Sequence, residues 1–320
     1  MEKRSLGSLQ VTVLGLGCNQ FGTALDEAAS RGVIHAALDQ GVNFFDTADE
    51  YGGGESERVL ARSLGARRKD VIIASKFGSR HIASGRKDLL PAPPGEGGAS
   101  AKWIAVAVER SLKALGTDYI DLYQLHFPDP ECPIDETLTA LDKLVQAGKV
   151  REIGCCNFSG QQIQDAADTS AARKLHAFAS AQNRLNLLRQ EAMDEVVPAC
   201  EKNRLGFLPF FPLASGLLTG KYRRGEPPPA GSRMAENVSP ELAKKALSDK
   251  TLAKVEALEK FAAERGRSVL ELAVAWLAAQ PRVSSVIAGA SRPEQVLANA
   301  KGLSWKLDAG EAAKAAALAR

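Results

Sequence analysis

Four titratable residues, Asp46, Tyr51, Lys76 and His126, lie at or just beyond the ends of short apolar segments. Asp46 ends Asn-Phe-Phe-Asp, Lys76 ends Val-Ile-Ile-Ala-Ser-Lys, and His126 ends Leu-Tyr-Gln-Leu-His, while Tyr51 lies in the loop after Asp46. Each alone could be a turn residue, a solvated charge or a structural histidine. Ionisable groups at the ends of apolar strands are costly without partners, so their joint occurrence favours one common site.

The four side chains together could polarise and protonate a carbonyl group. A phenol titrates at about pH 10, so a nearby cation is needed to stabilise its phenolate. We expect Lys76 to be that cation and Asp46 to orient its ammonium group. Neutral His126 could donate a hydrogen bond to a carbonyl oxygen, which Tyr51 would protonate. No side chain supplies a hydride, so the sequence predicts a bound nicotinamide.

Eight short apolar segments alternate with amphipathic segments along the chain. The predicted strands are residues 14–17, 43–46, 71–76, 120–126, 150–155, 178–182, 206–210 and 285–287. An N-terminal β-hairpin, with strands 3–6 and 10–13, precedes them. This order is typical of a parallel βα repeat, and eight repeats predict an α/β fold of the (β/α)8 TIM barrel class. The strand ends would then bring the four titratable residues to one face.

Residues 1–320 are predicted to form a single domain, since no linker or low-complexity segment interrupts them. Two long loops, 78–100 and 217–250, follow the third and seventh strands of this barrel. Both would lie on the face where barrel active sites are built, so lids are favoured over disordered insertions. A helix at about 252–265 is expected to close the second loop.

Composition narrows the class of partner. The net charge is +3 over 320 residues, with acidic and basic residues interspersed, which disfavours nucleic acid or a membrane surface as a partner. Five cysteines without a Cys-x-x-Cys pair indicate reduced thiols. No signal segment, metal-binding motif or Gly-x-Ser-x-Gly is recognisable. A cytoplasmic protein that acts on a small molecule without a metal is expected.

Seven short motifs in the same order resemble the aldo-keto reductase superfamily. They are Asn-Phe-Phe-Asp-Thr-Ala from residue 43 with Tyr51-Gly, Ala-Ser-Lys-Phe from 74, Leu-His-Phe-Pro-Asp from 125, Ile-Gly from 153 with Asn-Phe from 157, Gln-Asn from 182, Ser-Gly-Leu-Leu-Thr-Gly-Lys from 215, and Ile-Ala-Gly-Ala-Ser-Arg-Pro from 287. One such motif would be weak evidence for the family, but seven motifs in the same order over nearly the whole chain are specific evidence for it.

The resemblance implies a catalytic tetrad of Asp46, Tyr51, Lys76 and His126, with Tyr51 as the general acid in reduction. It also implies an extended NADP(H) across the barrel mouth, with Arg292 as the partner of the 2′-phosphate. The cofactor-binding residues that it implies are Asp46, Asn157, Gln182, Phe210, Leu213, Ser215, Leu217, Gly289, Ser291, Arg292, Gln295 and Asn299. The reaction would be reduction of an aldehyde or ketone, or oxidation of the corresponding alcohol or sugar.

Several positions depart from the family pattern. Cys156 precedes Asn157 where Ser is frequent, Phe210 stands where Tyr is common, and Arg184-Leu185 replaces a more usual acidic-aromatic pair. Two other functions stay open. One is a nucleotide-binding, redox-sensing partner protein, similar to potassium-channel β subunits. The other is a barrel isomerase or lyase with Lys76 as a Schiff base, a chemistry that would not use Tyr51 and His126 together.

Overall fold

A computed structural model describes residues 1–79, 98–236 and 238–320. An antiparallel hairpin opens the chain, and eight parallel strands follow; the first seven each pair with the next along the chain, and the eighth pairs with the first. The strands are β1 (Lys3–Leu6), β2 (Leu9–Thr12), β3 (Leu14–Gly17), β4 (Phe44–Asp46), β5 (Ile72–Phe77), β6 (Ile120–Leu125), β7 (Val150–Cys156), β8 (Ser180–Gln182), β9 (Gly206–Phe207) and β10 (Val286–Gly289).

The parallel strands form a closed barrel. β10 pairs with β3, and bridges from Phe207 to Val283 and from Phe210 to Ile287 join the other end of the sheet to β10 and the residues before it. The (β/α)8 barrel expected from the repeat of strands and helices is therefore confirmed. All C-terminal strand ends meet at one rim, as the parallel order requires.

Helices cover the outside of the barrel. They are α1 (Glu27–Asp39), α2 (Glu55–Leu64), α3 (Ala101–Leu115), α4 (Ile134–Gln146), α5 (Gly160–Arg173), α6 (Val196–Lys202), α7 (Arg233–Glu236), α8 (Pro240–Ala246), α9 (Asp249–Ala263), α10 (Val269–Ala278), α11 (Pro293–Gly302) and α12 (Ala309–Leu318). No helix among the described residues has the length and apolar character needed to span a membrane.

Apolar residues fill two separate regions. The larger region lies between the strands and the surrounding helices. The smaller one fills the barrel and includes Leu6, Leu9 and Val11 of the hairpin together with Phe44 and Leu122 of the strands. The hairpin thus closes the N-terminal end of the barrel with apolar side chains, which leaves the opposite rim as the open end. Burial on both faces explains why the strands read as continuous apolar segments.

Every predicted strand bound but one was correct to within two residues. The seventh barrel strand was predicted over 206–210, but β9 ends at Phe207. Pro209 has no backbone N–H to donate, so regular pairing stops there, although Phe210 still bridges Ile287. His126, placed inside a strand by the pattern, follows directly after β6.

The structure describes the two predicted lids to different extents. Most of the predicted lid at 78–100 lies outside the described residues. The other predicted lid, 217–250, contains the short helices α7 and α8, and the helix expected at 252–265 begins earlier, as α9 at Asp249. Thr219, Lys221 and Arg233 of this second loop face the cavity at the open rim.

Candidate functional site

The barrel rim brings Asp46, Tyr51, Lys76 and His126 together. Asp46 ends β4, Lys76 lies in β5, and His126 follows β6, so three adjacent strands supply three of the residues. Tyr51 follows in the turn between β4 and α2. The Lys76 Nζ lies 2.7 Å from the Asp46 Oδ2 and 3.4 Å from the Tyr51 hydroxyl oxygen. The ring centroids of Tyr51 and His126 are 5.9 Å apart.

Lys76 is completely buried, and its ammonium group is held by protein acceptors. Besides the carboxylate of Asp46, it donates to the carbonyl oxygen of Thr47 at 2.9 Å. Burial disfavours the charged form, but the surrounding negative groups, Asp46 foremost, and the hydrogen bond to Asp46 together outweigh that cost, so the pKa of Lys76 is raised above its ordinary value. The lysine is therefore protonated at neutral pH, so its amine is not available as a nucleophile.

Tyr51 lies beside the cation that was expected to stabilise its phenolate. Lys76 does favour the phenolate, but burial of the phenol is the larger effect, and the pKa of Tyr51 lies above its ordinary value. Asp46, which is close to Lys76, also raises it. The phenol is consequently protonated at neutral pH, which is the form that a proton donor needs.

His126 is buried and supported on two sides. Its backbone N–H donates to the Phe77 carbonyl oxygen at 2.8 Å, which fixes the residue at the end of β6 against β5. Its carbonyl oxygen accepts from the side-chain amide of Asn157 at 2.9 Å. The His126 Nδ1 lies 3.3 Å from the Glu50 Oε1. A carboxylate here would favour a proton on Nδ1, and Glu50 was not identified from the sequence.

The carboxylate of Asp46 accepts further hydrogen bonds from two glutamines inside the barrel. The Gln182 Nε2 donates to the Asp46 Oδ1 at 2.8 Å, and the Gln124 Nε2 lies 3.4 Å from the same oxygen. Both glutamines are buried. Gln182 was predicted to contact a cofactor, whereas Gln124 was missed because a single buried glutamine in an apolar strand has no distinguishing sequence pattern.

A cavity of about 1210 Å³ opens above these residues. Ligand clefts commonly enclose roughly 300–1,000 Å³, so this one has room for a ligand larger than a small substrate. The expected cofactor residues that line it are Asp46, Asn157, Gln182, Phe210, Leu213, Ser215, Gly289, Ser291, Arg292, Gln295 and Asn299. Leu217 is the exception, because its side chain is buried in the apolar region outside the barrel.

One end of the cavity lies at the start of α11. Arg292 is the residue before this helix, and its side chain makes no capping hydrogen bond. The Gln295 Oε1 accepts from the backbone N–H of Ser291 at 2.7 Å and lies 3.1 Å from the Ser291 Oγ, which holds the turn. The Oδ1 of Asn299 is buried without a hydrogen-bond partner among the described residues. Such an atom in a cavity wall is free to accept a hydrogen bond from a bound ligand or from water.

The turn after β9 holds an unusual backbone conformation. Phe211, Ala214 and Ser215 have φ values of 55°, 47° and 58°, in the left-handed region that non-glycine residues seldom adopt. The buried Asn186 donates to the Phe211 carbonyl oxygen at 2.9 Å, which ties this turn to the segment after β8. Backbone strain of this kind is frequent at functional sites. Leu213 and Ser215 reach the cavity because of this turn.

The departures noted in the sequence can now be located. The Cys156 Sγ lies 3.5 Å from the Gln182 Oε1 and 3.3 Å from the Asn157 Nδ2, so the thiol takes part in weak polar contacts. Burial raises the pKa of Cys156 to about 12, which leaves it an unreactive thiol. Phe210 faces the cavity, as expected of a ring that would stack on a nicotinamide.

Several cations that line the cavity were not assigned to the site from the sequence. Lys221, Arg233 and Arg189 line it, as does Arg184, which had been noted only as a departure from a family pattern. Charged residues in loops follow no periodic pattern from which their position could be predicted. Whether they reach a common cavity depends on the path of the folded chain.

Sequence comparisons relate the chain to known proteins. A sequence model described as "Aldo/keto reductase family" matches residues 13–320. A relative from Oryza sativa subsp. japonica, named a probable voltage-gated potassium channel subunit beta, is 36% identical over 95% of this chain and 91% of its own length. The L-glyceraldehyde 3-phosphate reductase of Escherichia coli K12 is 33% identical over 95% of this chain and 88% of its own.

A solved structure resembles the whole fold. The glycerol dehydrogenase of Gluconobacter oxydans superimposes with a TM-score of 0.84 and 30% sequence identity, covering 99% of this chain and 94% of that one.

Proposed function

Because the chain belongs to the aldo/keto reductase family of oxidoreductases, we propose that it reduces aldehydes or ketones with NADPH, or oxidises the corresponding alcohols or sugars with NADP⁺. The observation that carries the proposal is the contact chain from Asp46 through Lys76 to Tyr51, directly below a cavity of about 1210 Å³. It supplies a protonated phenol beside a buried cation at the floor of a large cleft.

In the proposed reaction, a bound nicotinamide supplies the hydride that the substrate carbon accepts. Tyr51 donates its proton to the substrate oxygen, and Lys76 stabilises the phenolate left behind because its ammonium lies 3.4 Å away. Asp46 keeps that ammonium charged and in place. His126 donates a hydrogen bond to the same substrate oxygen and polarises the carbonyl before transfer.

The cavity lining fits a dinucleotide in chemical character. Asn157 and Gln182 offer amide groups for the carboxamide, and Phe210 offers a ring face for the nicotinamide. Leu213 and Ser215 lie on the turn that would follow the pyrophosphate. At the far end, Arg292 would bind the 2′-phosphate, and Gly289, Ser291, Gln295 and Asn299 would surround the adenosine. Leu217 is not included, because its side chain is buried away from the cavity.

Tyr51→Phe tests the proposal directly. The variant should bind NADPH within about twofold of the wild type, but its carbonyl turnover should fall by roughly 10²- to 10⁴-fold, the usual contribution of a positioned acid. NADPH absorbance loss with a panel of aldehydes, ketones and sugars measures turnover, and cofactor fluorescence measures binding. Tyr119→Phe, outside the cavity, is the matched control. Turnover retained by Tyr51→Phe would remove the phenol from this role.

The similarity to potassium channel β subunits favours a second candidate, a protein that binds the nucleotide and reports redox state to a partner. Both proposals expect Asp46, Tyr51, Lys76 and His126 to be present together, so these residues do not distinguish them. They differ in turnover: the second predicts tight NADPH binding with no rapidly reduced carbonyl in the panel. The Schiff-base alternative is disfavoured because Lys76 is protonated and fully buried.

A further inference from the structure

The first turn of α2 contains two neighbouring polar side chains that are both buried. They are Ser56, which has no exposed surface, and Glu57, which is 2% exposed. Glu55, two residues before Glu57, is partly exposed and pairs with Arg58 and Arg62 at the surface. Either carboxylate would stabilise the N-terminus of the helix, but burial of the second one is costly. The interior position of Glu57 therefore needs a cause other than helix formation.

Glu57 is hydrogen-bonded to the strand that carries Lys76. The Ser75 hydroxyl donates to the Glu57 Oε1 at 2.5 Å. Side chains alternate along a strand, so Ser75 faces α2 while Lys76, the next residue, faces the barrel interior. Burial raises the pKa of Glu57, although its hydrogen bond with Ser75 opposes that rise. The carboxyl group is thus kept in an unfavourable environment, where it attaches the helix to β5.

Ser56 makes the corresponding attachment to the chain beside Asp46. The Ser56 hydroxyl donates to the Cys18 carbonyl oxygen at 2.8 Å and accepts from the Thr47 hydroxyl at 2.8 Å. Thr47 directly follows Asp46, and its carbonyl oxygen accepts from the Lys76 ammonium at 2.9 Å. The start of α2 is therefore attached next to both members of the buried ion pair.

Tyr51 lies in the short segment between these attachments. Its carbonyl oxygen accepts from the backbone N–H of Ser56 at 3.1 Å, and its own N–H donates to the Ala48 carbonyl oxygen at 3.2 Å. Residues 52–54, which join it to α2, are three glycines with φ values of 61°, 63° and 85°. Glycine adopts this conformation without strain but also restrains the chain least. The position of the phenol consequently depends on the hydrogen bonds on either side of the glycines.

We propose that Glu57 is a positioning residue that sets the distance between the Tyr51 hydroxyl and the Lys76 ammonium. It acts through Ser75, which is adjacent to Lys76 in β5. The inference rests on the proposed reductase function, in which that ammonium stabilises the phenolate. The two groups are 3.4 Å apart, beyond the usual range of a hydrogen bond, so an outward shift of α2 would weaken the stabilisation further.

Glu57→Ala tests the proposal, because it removes the acceptor of the Ser75 hydroxyl. We expect kcat for glyceraldehyde to fall by roughly 10- to 100-fold, since a misplacement of about 1 Å can cost about 10²-fold in rate. Glu57 does not line the cavity, so KM for glyceraldehyde and the Kd for NADPH should stay within about threefold. Glu57→Gln keeps an oxygen that accepts from Ser75, and its kcat should stay within about threefold of the wild type.

Controls separate positioning from a general loss of folded protein. Glu55→Ala removes the partly exposed carboxylate in the same turn of α2 and should leave all kinetic constants unchanged. Fluorescence titration should give every variant the same NADPH stoichiometry as the wild type, so that kcat refers to folded protein. Ser75→Ala removes the donor from the strand side and is expected to lower kcat in the same way, which keeps the test available if Glu57→Ala does not fold.

A crystal structure of the Glu57→Ala variant with NADP⁺ measures the distance without turnover. The Tyr51 hydroxyl should lie farther from the Lys76 Nζ than in the wild type by about 0.5 Å or more, the tolerance of a functional site. An unchanged distance would overturn the positioning role even in an active reductase, as would equal losses of kcat in Glu57→Gln and Glu57→Ala. A longer distance in a protein that reduces no carbonyl would support the positioning role and overturn the reductase.

Discussion

Lys76 and Asp46 form a buried ion pair that also affects the acidity of Tyr51. Lys76 has no exposed surface, and Asp46 is also buried, so each charge depends on the other. Removing one partner of such a pair leaves a charge in a region of low polarity, which is strongly unfavourable. Tyr51 adds to this dependence, because the acidity of its phenol is tuned by the same ammonium. Stability and chemistry are therefore coupled at this point in the molecule.

Lys76→Met should lower the free energy of unfolding by about 3–5 kcal/mol, because the Asp46 carboxylate loses its counter-ion. Adding Asp46→Asn to that variant should recover part of the loss, since the unpaired charge is then removed. Urea denaturation of the two single variants and the double variant measures the coupling. Additive losses would contradict the dependence of each charge on the other.

Arg292 is expected to discriminate between the two nicotinamide cofactors. Arg292→Ala should weaken NADPH binding by about 1–3 kcal/mol and leave NADH binding nearly unchanged, since only NADPH carries the 2′-phosphate. Fluorescence titration with both cofactors provides the measurement, with Arg67→Ala, which removes an exposed arginine outside the cavity, as the control. If both cofactors lose affinity equally, the 2′-phosphate is bound by a different cation, such as Lys221 in the same cavity.

At the scale of elements, the strand ends and their following turns decide where side chains can meet. β9 is only two residues long, and the turn that follows Pro209 contains three non-glycine residues in the left-handed conformation. Glycine would fit those positions with less strain, yet Phe211 and Ser215 occupy two of them. The turn thus uses backbone strain to direct side chains towards the cavity, and neighbouring elements hold it in place.

Outside the site, Asp142 joins α4 to the segment that precedes β8. Its Oδ1 accepts from the backbone N–H of His176 at 3.0 Å and contacts the His176 Nδ1 at 2.5 Å. The hydrogen bond from His176 lowers the pKa of Asp142. For a carboxyl group with a lowered folded pKa, the stabilisation is present above the unfolded value, about 3.9, and is lost as the pH falls through the folded value.

Asp142→Asn should accordingly destabilise the protein by about 1–2 kcal/mol at pH 7, where the wild-type carboxylate is charged. The difference between variant and wild type should shrink as the pH is lowered from about 5 to about 3, because the wild type then loses the same charge. Urea curves at several pH values measure it. A difference that stays constant with pH would show that the charge of Asp142 contributes nothing.

At the scale of the whole molecule, the closed barrel makes every strand depend on both neighbours. β10 pairs with β3, and Phe207 and Phe210 bridge the residues before and within β10, so the first and last repeats are joined. A single apolar region then surrounds the barrel and contacts most of the helices. This arrangement is the physical basis for expecting residues 1–320 to form one domain.

Unfolding should therefore be a single cooperative transition. Trp103 lies in α3, Trp276 in α10 and Trp305 after α11, so fluorescence reports on separate parts of the chain. Urea curves from fluorescence and from far-ultraviolet circular dichroism should coincide. Saturating NADPH at about 100 times its Kd should shift both by about 2.7 kcal/mol, as mass action requires. Separate transitions by the two probes would contradict a single domain.

The amino-acid sequence alone was sufficient to predict the barrel class and the four titratable residues at its rim. The reason is that local apolar patterns indicate which segments are buried strands and where those strands end. The tertiary structure decided what lies around them. Glu50 beside His126, Gln124 beneath Asp46 and Glu57 beside Ser75 come from different segments. Their approach depends on loop paths and burial, which no short sequence window encodes. The raised pKa of Tyr51 belongs here too, because desolvation exists only in the folded protein.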